Sequence, residues 1–209
     1  MNRFYIQLLG TTCSGKSSLA ACIGLSYNVE FSRRSEYQTT KDKTLIIAGK
    51  YYFVPRDNIY RGGLDTTDTH DNKTALVRKC LDLGYKITLS EGYISMYLHL
   101  IKRFIDGFDI TPLFIQLDVP LNIIAERLKI RSGRTLDKKS TYNNVMGKKD
   151  TAEKMAQKLS AEGLKVFTVP NATPKDRLNI LELIELETSI KMQQYITEVD
   201  LWRSHNIVI

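Results

Sequence analysis

Residues 10–17, Gly10-Thr11-Thr12-Cys13-Ser14-Gly15-Lys16-Ser17, fit the pattern G-x-x-x-x-G-K-[ST]. The run before them, Phe4-Tyr5-Ile6-Gln7-Leu8-Leu9, reads as a buried strand, and Ser17-Ser18-Leu19-Ala20-Ala21-Cys22-Ile23 reads as a helix. A buried strand that turns directly into a helix through small residues points to an α/β architecture. Small side chains let successive backbone N–H groups turn inward around an anion, and the helix dipole points its positive end at the same spot. The motif therefore predicts a polyphosphate cradle built from Thr11, Thr12, Cys13, Ser14, Gly15, Lys16, Ser17 and Ser18. In it Lys16 reaches the β/γ-phosphates of ATP and the Ser17 hydroxyl ligates Mg²⁺.

The rest of the chain alternates apolar runs with helical patterns, which predicts a mostly parallel sheet of five strands with helices on both faces. Strand-like runs for that sheet occur at 4–9, 44–49, 86–91, 113–119 and 165–169, and 29–32 is a further candidate second strand. A polar loop is expected from Arg56 to Thr69. Helices are expected over Lys73–Leu83 with Asp71 as cap, along the face Ile94, Leu98, Ile101 and Ile105, from Pro120 to Arg131, up to Glu162, and from Thr173. All 209 residues fit one domain with a full core, and the tail from about 189 to 209 has no assigned structure. No run approaches ~18 apolar residues, so no membrane span is expected. Arg3 leads straight into the first strand, which leaves no room for a signal peptide. Cys13, Cys22 and Cys80, an odd number at unrelated spacings, read as reduced thiols of a cytoplasmic protein. The net charge of +7 suits an anionic partner, nucleotide or nucleic acid.

Between Arg127 and Lys149 eight basic residues stand against the single acid Asp137. Phosphoryl transfer asks a protein mainly for positioning and for cations around the transferring group. Residues 132–149 are therefore expected to form a basic polar lid. Arg127 and Arg131, at i and i+4 on one helix face, are the preferred pair to neutralise the transition state. A hydroxyl acceptor also needs a carboxylate to orient or deprotonate it. Glu36 and Glu91 are candidates because both follow expected strands at the sheet edge that carries the phosphate loop, where ligands bind in open α/β sheets. Asp65, in Gly62-Gly63-Leu64-Asp65, is a third, and Glu91 is also a second candidate Mg²⁺ ligand. Asp118 is read as a brace for the phosphate loop. His70, His99 and His205 show no ligand spacing. The guanine-specifying N-K-x-D of GTPases is absent from the sequence.

Four landmarks occur in order: Gly10 to Ser17, Leu89-Ser90-Glu91-Gly92, Leu117-Asp118-Val119-Pro120 through Glu126-Arg127-Leu128, and Arg131-Ser132-Gly133-Arg134. In this the chain resembles the nucleoside, nucleotide and polynucleotide kinase-like P-loop family. That resemblance implies an acceptor base twenty residues after the phosphate-loop lysine, the spacing of Glu36 from Lys16. It differs from deoxynucleoside kinases in having Glu91-Gly92-Tyr93 where those carry Glu-Arg-Ser. Gly49-Lys50-Tyr51, Gly62-Gly63-Leu64-Asp65-Thr66, Ser90-Glu91-Gly92 and Asn144-Val145 to Lys149 further resemble small phage kinases of the 5-hydroxymethyluracil DNA kinase type. The implied acceptor is the hydroxymethyl group of a modified thymine in DNA, held with help from Arg33, Asp65, Tyr93 and Arg134. A free nucleoside or nucleotide, a 5′-hydroxyl polynucleotide, and a non-catalytic NTP-binding switch are the alternatives. A phage enzyme of this type would work in the host cytoplasm.

Overall fold

The computed structural model describes residues 2–54, 59–67, 69–92 and 98–197. Its strands are β1 (Phe4–Leu9), β2 (Tyr37–Thr39), β3 (Leu45–Ala48), β4 (Lys50–Val54), β5 (Ile59–Gly63), β6 (Ile87–Glu91), β7 (Thr111–Asp118) and β8 (Lys165–Pro170). Its helices are α1 (Lys16–Ser26), α2 (His70–Asp82), α3 (Leu98–Ile105), α4 (Leu121–Ser132), α5 (Lys139–Ala161) and α6 (Pro174–Thr188).

One sheet runs in the order β2-β3-β6-β1-β7-β8. The pairs β3–β6, β6–β1, β1–β7 and β7–β8 are parallel, as expected of strands joined by crossover helices. A sixth strand, β2, adds antiparallel to β3, so the sheet has six strands rather than five. Parallel strands are covered on both faces, and alternation along β1 shows how. Phe4, Ile6 and Leu8 face α1 and α6, while Tyr5 and Leu9 face α2, α3 and α5. Leu19 and Ile23 of α1 are fully buried, each contributing roughly 1.5–3 kcal/mol.

The second strand does not form at 29–32. Glu30 makes one isolated bridge to Thr39, and Tyr37–Thr39 takes the edge position. Local hydrogen bonding explains the shift. The Gln38 side chain accepts from Ser32 N–H and donates to the Ser32 and Ser35 carbonyls, which closes residues 32–38 into a turn. Phe31 packs edge-on against Tyr51 instead of extending a strand.

The stretch expected as a polar loop from Arg56 to Thr69 contains β5, which pairs antiparallel with β4 as a separate two-stranded hairpin. Residues 55–58 and 68 lie outside the described residues. The helix expected from Lys73 starts at His70, because the Thr69 hydroxyl, not Asp71, accepts from Asn72 N–H. Ile94 lies outside the described residues, and α3 buries Leu100, Ile101 and Phe104.

The basic segment 132–149 is mostly helix. Only residues 133–138 separate α4 from α5. Val145, Ala152, Met155, Ala156 and Leu159 recur at helical spacing and are buried, so the lysines occupy the other faces of a continuous helix. At α6 the expected start holds. Thr173 and Asp176 form a reciprocal capping box, with Pro174 in the first turn. No helix among the described residues is long and apolar enough to cross a membrane.

Candidate active site at the phosphate loop

Residues 10–15 join the carboxyl end of β1 to α1 at the middle of the sheet. Cys13 (φ 61°) and Gly15 (φ 86°) are both left-handed. Residues of left-handed twist set among right-handed ones turn successive N–H groups towards one side and form an anion-binding concavity. Lys16 Nζ donates to the Gly10 and Thr11 carbonyls, each at 2.9 Å, so its ammonium lies over the loop rather than in solvent. The buried Ser14 hydroxyl has no hydrogen-bond partner among the described residues. A cradle of small residues, an ammonium across it and an unengaged buried hydroxyl fit a polyphosphate.

Glu91 ends β6 directly beside this loop, because the parallel register sets Leu8 opposite it. It is 2% exposed. The Ser17 hydroxyl donates to Glu91 Oε1 at 2.9 Å and the Tyr51 hydroxyl at 3.5 Å. Gly63 of the hairpin packs on the same carboxylate. A Cβ at that position would fall 1.9 Å from Glu91 Oε1, so only glycine leaves the room, and its φ of 91° suits glycine as well. Burial pushes the Glu91 carboxyl up to about 7; Lys16 opposes the rise and Asp65 adds to it. Burial also draws the Lys16 ammonium down, opposed chiefly by Glu91 and then Asp65. Among the described residues no cluster of three His, Cys, Asp or Glu groups has metal-binding geometry. The oxygen pair Ser17 and Glu91 nevertheless suits a hard cation such as Mg²⁺, which takes most of its remaining ligands from phosphates and water.

Asp65 lies at the mouth of this group in a short 3-10 turn, its side chain 52% exposed and 3.8 Å from the nearly buried ammonium of Lys73. Glu36 is placed differently from Glu91. Its carbonyl accepts from Gly49 N–H at the sheet edge, as its position in the chain suggested, but its carboxylate turns to Lys79 of α2, at 3.7 Å. Lys79 itself lies over the Tyr37 ring. Glu36 therefore faces the α2 side, while Glu91 joins Lys16 and Ser17. The Asp118 carboxylate pairs with Lys149 of α5 at 2.6 Å, while its carbonyl accepts from the N–H of Asn171, whose amide holds the Ser14 carbonyl of the loop.

The two preferred arginines separate. Arg127 reaches the loop, donating to the carbonyls of Cys13 (3.4 Å), Asn171 (2.9 Å) and Ala172 (3.2 Å). Arg131 is exposed, and its carbonyl accepts from Arg61 of β5. One turn of helix carries the two side chains to different depths: Arg127 is half-buried and Arg131 is exposed. Arg33 and Arg134 are both exposed. Tyr93 lies outside the described residues. The lid meets the loop where Thr11 donates to the Val145 carbonyl at 3.1 Å, and Cys13 packs on the Val119, Ile124, Leu128 and Val145 cluster.

Five residues at this site were not among the candidate site residues read from the sequence: Tyr51, Gly63, Lys73, Asn171 and Arg177. Asn171 follows β8 at the same carboxyl edge as Glu91, and that position was the available signal. Arg177 carried none, since an arginine in an amphipathic helix reads as solvated.

No protein-family model matches the sequence, and no curated protein matches it either. Among solved structures, the chain is similar to a gluconokinase from Sinorhizobium meliloti 1021, with a TM-score of 0.51 and 15% identity over 90% of this chain and 98% of that one. A sugar kinase from Janibacter sp. HTCC2649 aligns with a TM-score of 0.48 and 14% identity over 91% and 96% of the two chains. A deoxyadenosine kinase from M. mycoides aligns with a TM-score of 0.44 and 15% identity over 89% and 100%. The likeness to the gluconokinase agrees with the strand order and the phosphate loop described above: the chain has the α/β fold of P-loop kinases.

Proposed function

We propose that the chain is an ATP-dependent kinase that transfers the γ-phosphoryl group to a hydroxyl. The observation that carries this reading is the convergence of Lys16, Ser17 and Glu91 at one end of the phosphate loop, with Arg127 of α4 on the Cys13 carbonyl. In a switch protein the loop needs only to hold nucleotide. Here a buried carboxylate meets the loop at Ser17 and a guanidinium of α4 meets it at Cys13, so two charged groups beyond Lys16 are at hand for a transferring phosphate.

Lys16 gives up its carbonyl partners to bind the β- and γ-phosphate oxygens. Ser17 and Glu91 hold Mg²⁺, which when bound neutralises charge on the β- and γ-phosphates. Arg127, released from the Cys13 carbonyl, stabilises charge on the transferring group, with Arg131 as the outer member of the pair. Asp65, solvent-facing and beside Lys73, is the carboxylate best placed to accept the acceptor's proton; Glu36 and Glu91 are the other two candidates. The helical lid closes over the loop through Thr11 and Val145 and excludes water that would otherwise hydrolyse ATP.

For the acceptor, we read the hydroxymethyl group of 5-hydroxymethyluracil in DNA, with Arg33, Asp65, Tyr93 and Arg134 on the acceptor side. The support is the sequence resemblance to small phage kinases and the net charge of +7. The second reading is a free small molecule, a nucleoside or nucleotide, favoured by a fold shared with a gluconokinase. Labelled ATP offered with modified duplex DNA, 5′-hydroxyl oligonucleotides, free nucleosides and monophosphates separates them. Label in the modified duplex alone supports the first reading. Label in nucleosides with none in DNA overturns it.

A further inference from the structure

Two guanidinium groups and one amide converge on Gly15 of the phosphate loop. A Cβ at Gly15 would lie 2.8 Å from Asn171 Nδ2, 3.1 Å from Arg177 Nη2 and 3.4 Å from Arg127 Nη1. Asn171 is fully buried and Arg177 is 1% exposed. Both ends of the Asn171 amide are engaged: Nδ2 donates to the Ser14 carbonyl at 2.6 Å, and Oδ1 accepts from Arg177 Nε at 3.1 Å. The turn that carries Asn171 is fixed in its own right. Its N–H donates to the Asp118 carbonyl, and Ala172 and Thr173 both donate to the Asp176 carboxylate of the α6 capping box. Arg177 is the next residue of that same helical turn.

A trans peptide points its carbonyl and the following N–H in opposite directions. Holding the Ser14 carbonyl against Asn171 therefore directs the Gly15 N–H the opposite way, away from Asn171. We propose that Asn171 and Arg177 are positioning residues for nucleotide binding, acting through the Ser14–Gly15 peptide to aim one of the cradle's donors at phosphate. The inference rests on the nucleotide-binding reading of the loop, and adds to it a control point at the β8–α6 turn that acts through the loop's backbone.

The test is ADP binding by calorimetry, with Gly15 followed by amide NMR in ¹⁵N-glycine-labelled protein. Asn171→Ala is expected to weaken ADP about tenfold, the scale of a lost hydrogen bond to a charged group. In the wild type the Gly15 amide proton should move downfield when ADP is added; in Asn171→Ala that movement should shrink or vanish. A residue serving only to pack the core would leave the movement intact in whatever fraction stays folded. Arg177→Lys keeps a cation and loses the Nε donor, so it remains informative if the alanine variant does not fold. It is expected to weaken ADP about threefold. Wild-type affinity within twofold in the folded variants, or an unchanged Gly15 response, overturns the proposal while the nucleotide-binding reading stands. Failure of the wild type to bind ADP overturns both.

Discussion

Glu91→Gln should change how stability depends on pH, by an amount set by the burial of one carboxylate. Glu91 is 2% exposed, and burial moves its carboxyl from 4.5 to about 7. At about 1.4 kcal/mol per pH unit, the charged form costs about 3 kcal/mol of stability relative to the protonated form. The sign follows from the direction. A carboxyl raised on folding favours the folded state while protonated, so its contribution is complete below about 4.5 and is lost as pH rises to about 7. Glutamine keeps the shape and stays neutral throughout. Urea unfolding of wild type and Glu91→Gln, free of nucleotide and Mg²⁺ and run from pH 4 to 8, isolates this effect, since every other group titrates in both proteins. The variant should gain about 3 kcal/mol on the wild type between pH 4.5 and 7 and nothing further above pH 7.5. A difference between the two that stays flat across that window would refute burial of this charge.

Gly63→Ala inserts a methyl group 1.9 Å from Glu91 Oε1, so phosphoryl transfer should fall at least tenfold, as expected when a catalytic group is displaced. Steady-state kinetics check this, and a rate within twofold of wild type would show that the hairpin does not set the carboxylate's position. Arg127→Ala should lower kcat about a hundredfold, against less than about fivefold for Arg131→Ala, because only the first guanidinium reaches the loop. Equal losses would mean that the exposed arginine swings in during turnover. Binding of Mg²⁺ and ADP at pH 6 should release a proton from Glu91, measured by calorimetry in buffers of different ionisation heat, and Glu91→Gln should abolish that release.

The centre of the fold was legible because its signals are local. The Gly10–Ser17 pattern, the apolar run at β7 and the Thr173 cap each specify their own geometry over a few residues. The position of Glu91 was legible for a similar reason: it ends a buried strand that pairs directly with β1. The errors arose where tertiary contacts overrode local pattern. Residues 29–32 resemble a strand, yet the Gln38 amide ties Ser32 into a turn over 32–38 and Glu30 keeps only one isolated bridge. The lysines of 138–149 resemble a solvated loop, and they conceal a helix whose apolar face is spaced too widely to notice among charges. Gly62 and Gly63 look like loop glycines. Their actual reason is the close approach of other chain segments, Lys50 and Glu91, that are distant in sequence. Arg177 was unreadable because its burial depends on Asn171 and the phosphate loop, two separate parts of the chain.

The most direct test of phosphoryl transfer at this loop is acceptor-dependent ADP release, measured for wild type and Lys16→Ala across the panel of hydroxyl acceptors. Wild type should release ADP in step with phosphate appearing on one acceptor class, and the variant, without the ammonium that spans the loop, should do neither. ATP binding with no acceptor-dependent turnover, or transfer by Lys16→Ala at the wild-type rate, would contradict it.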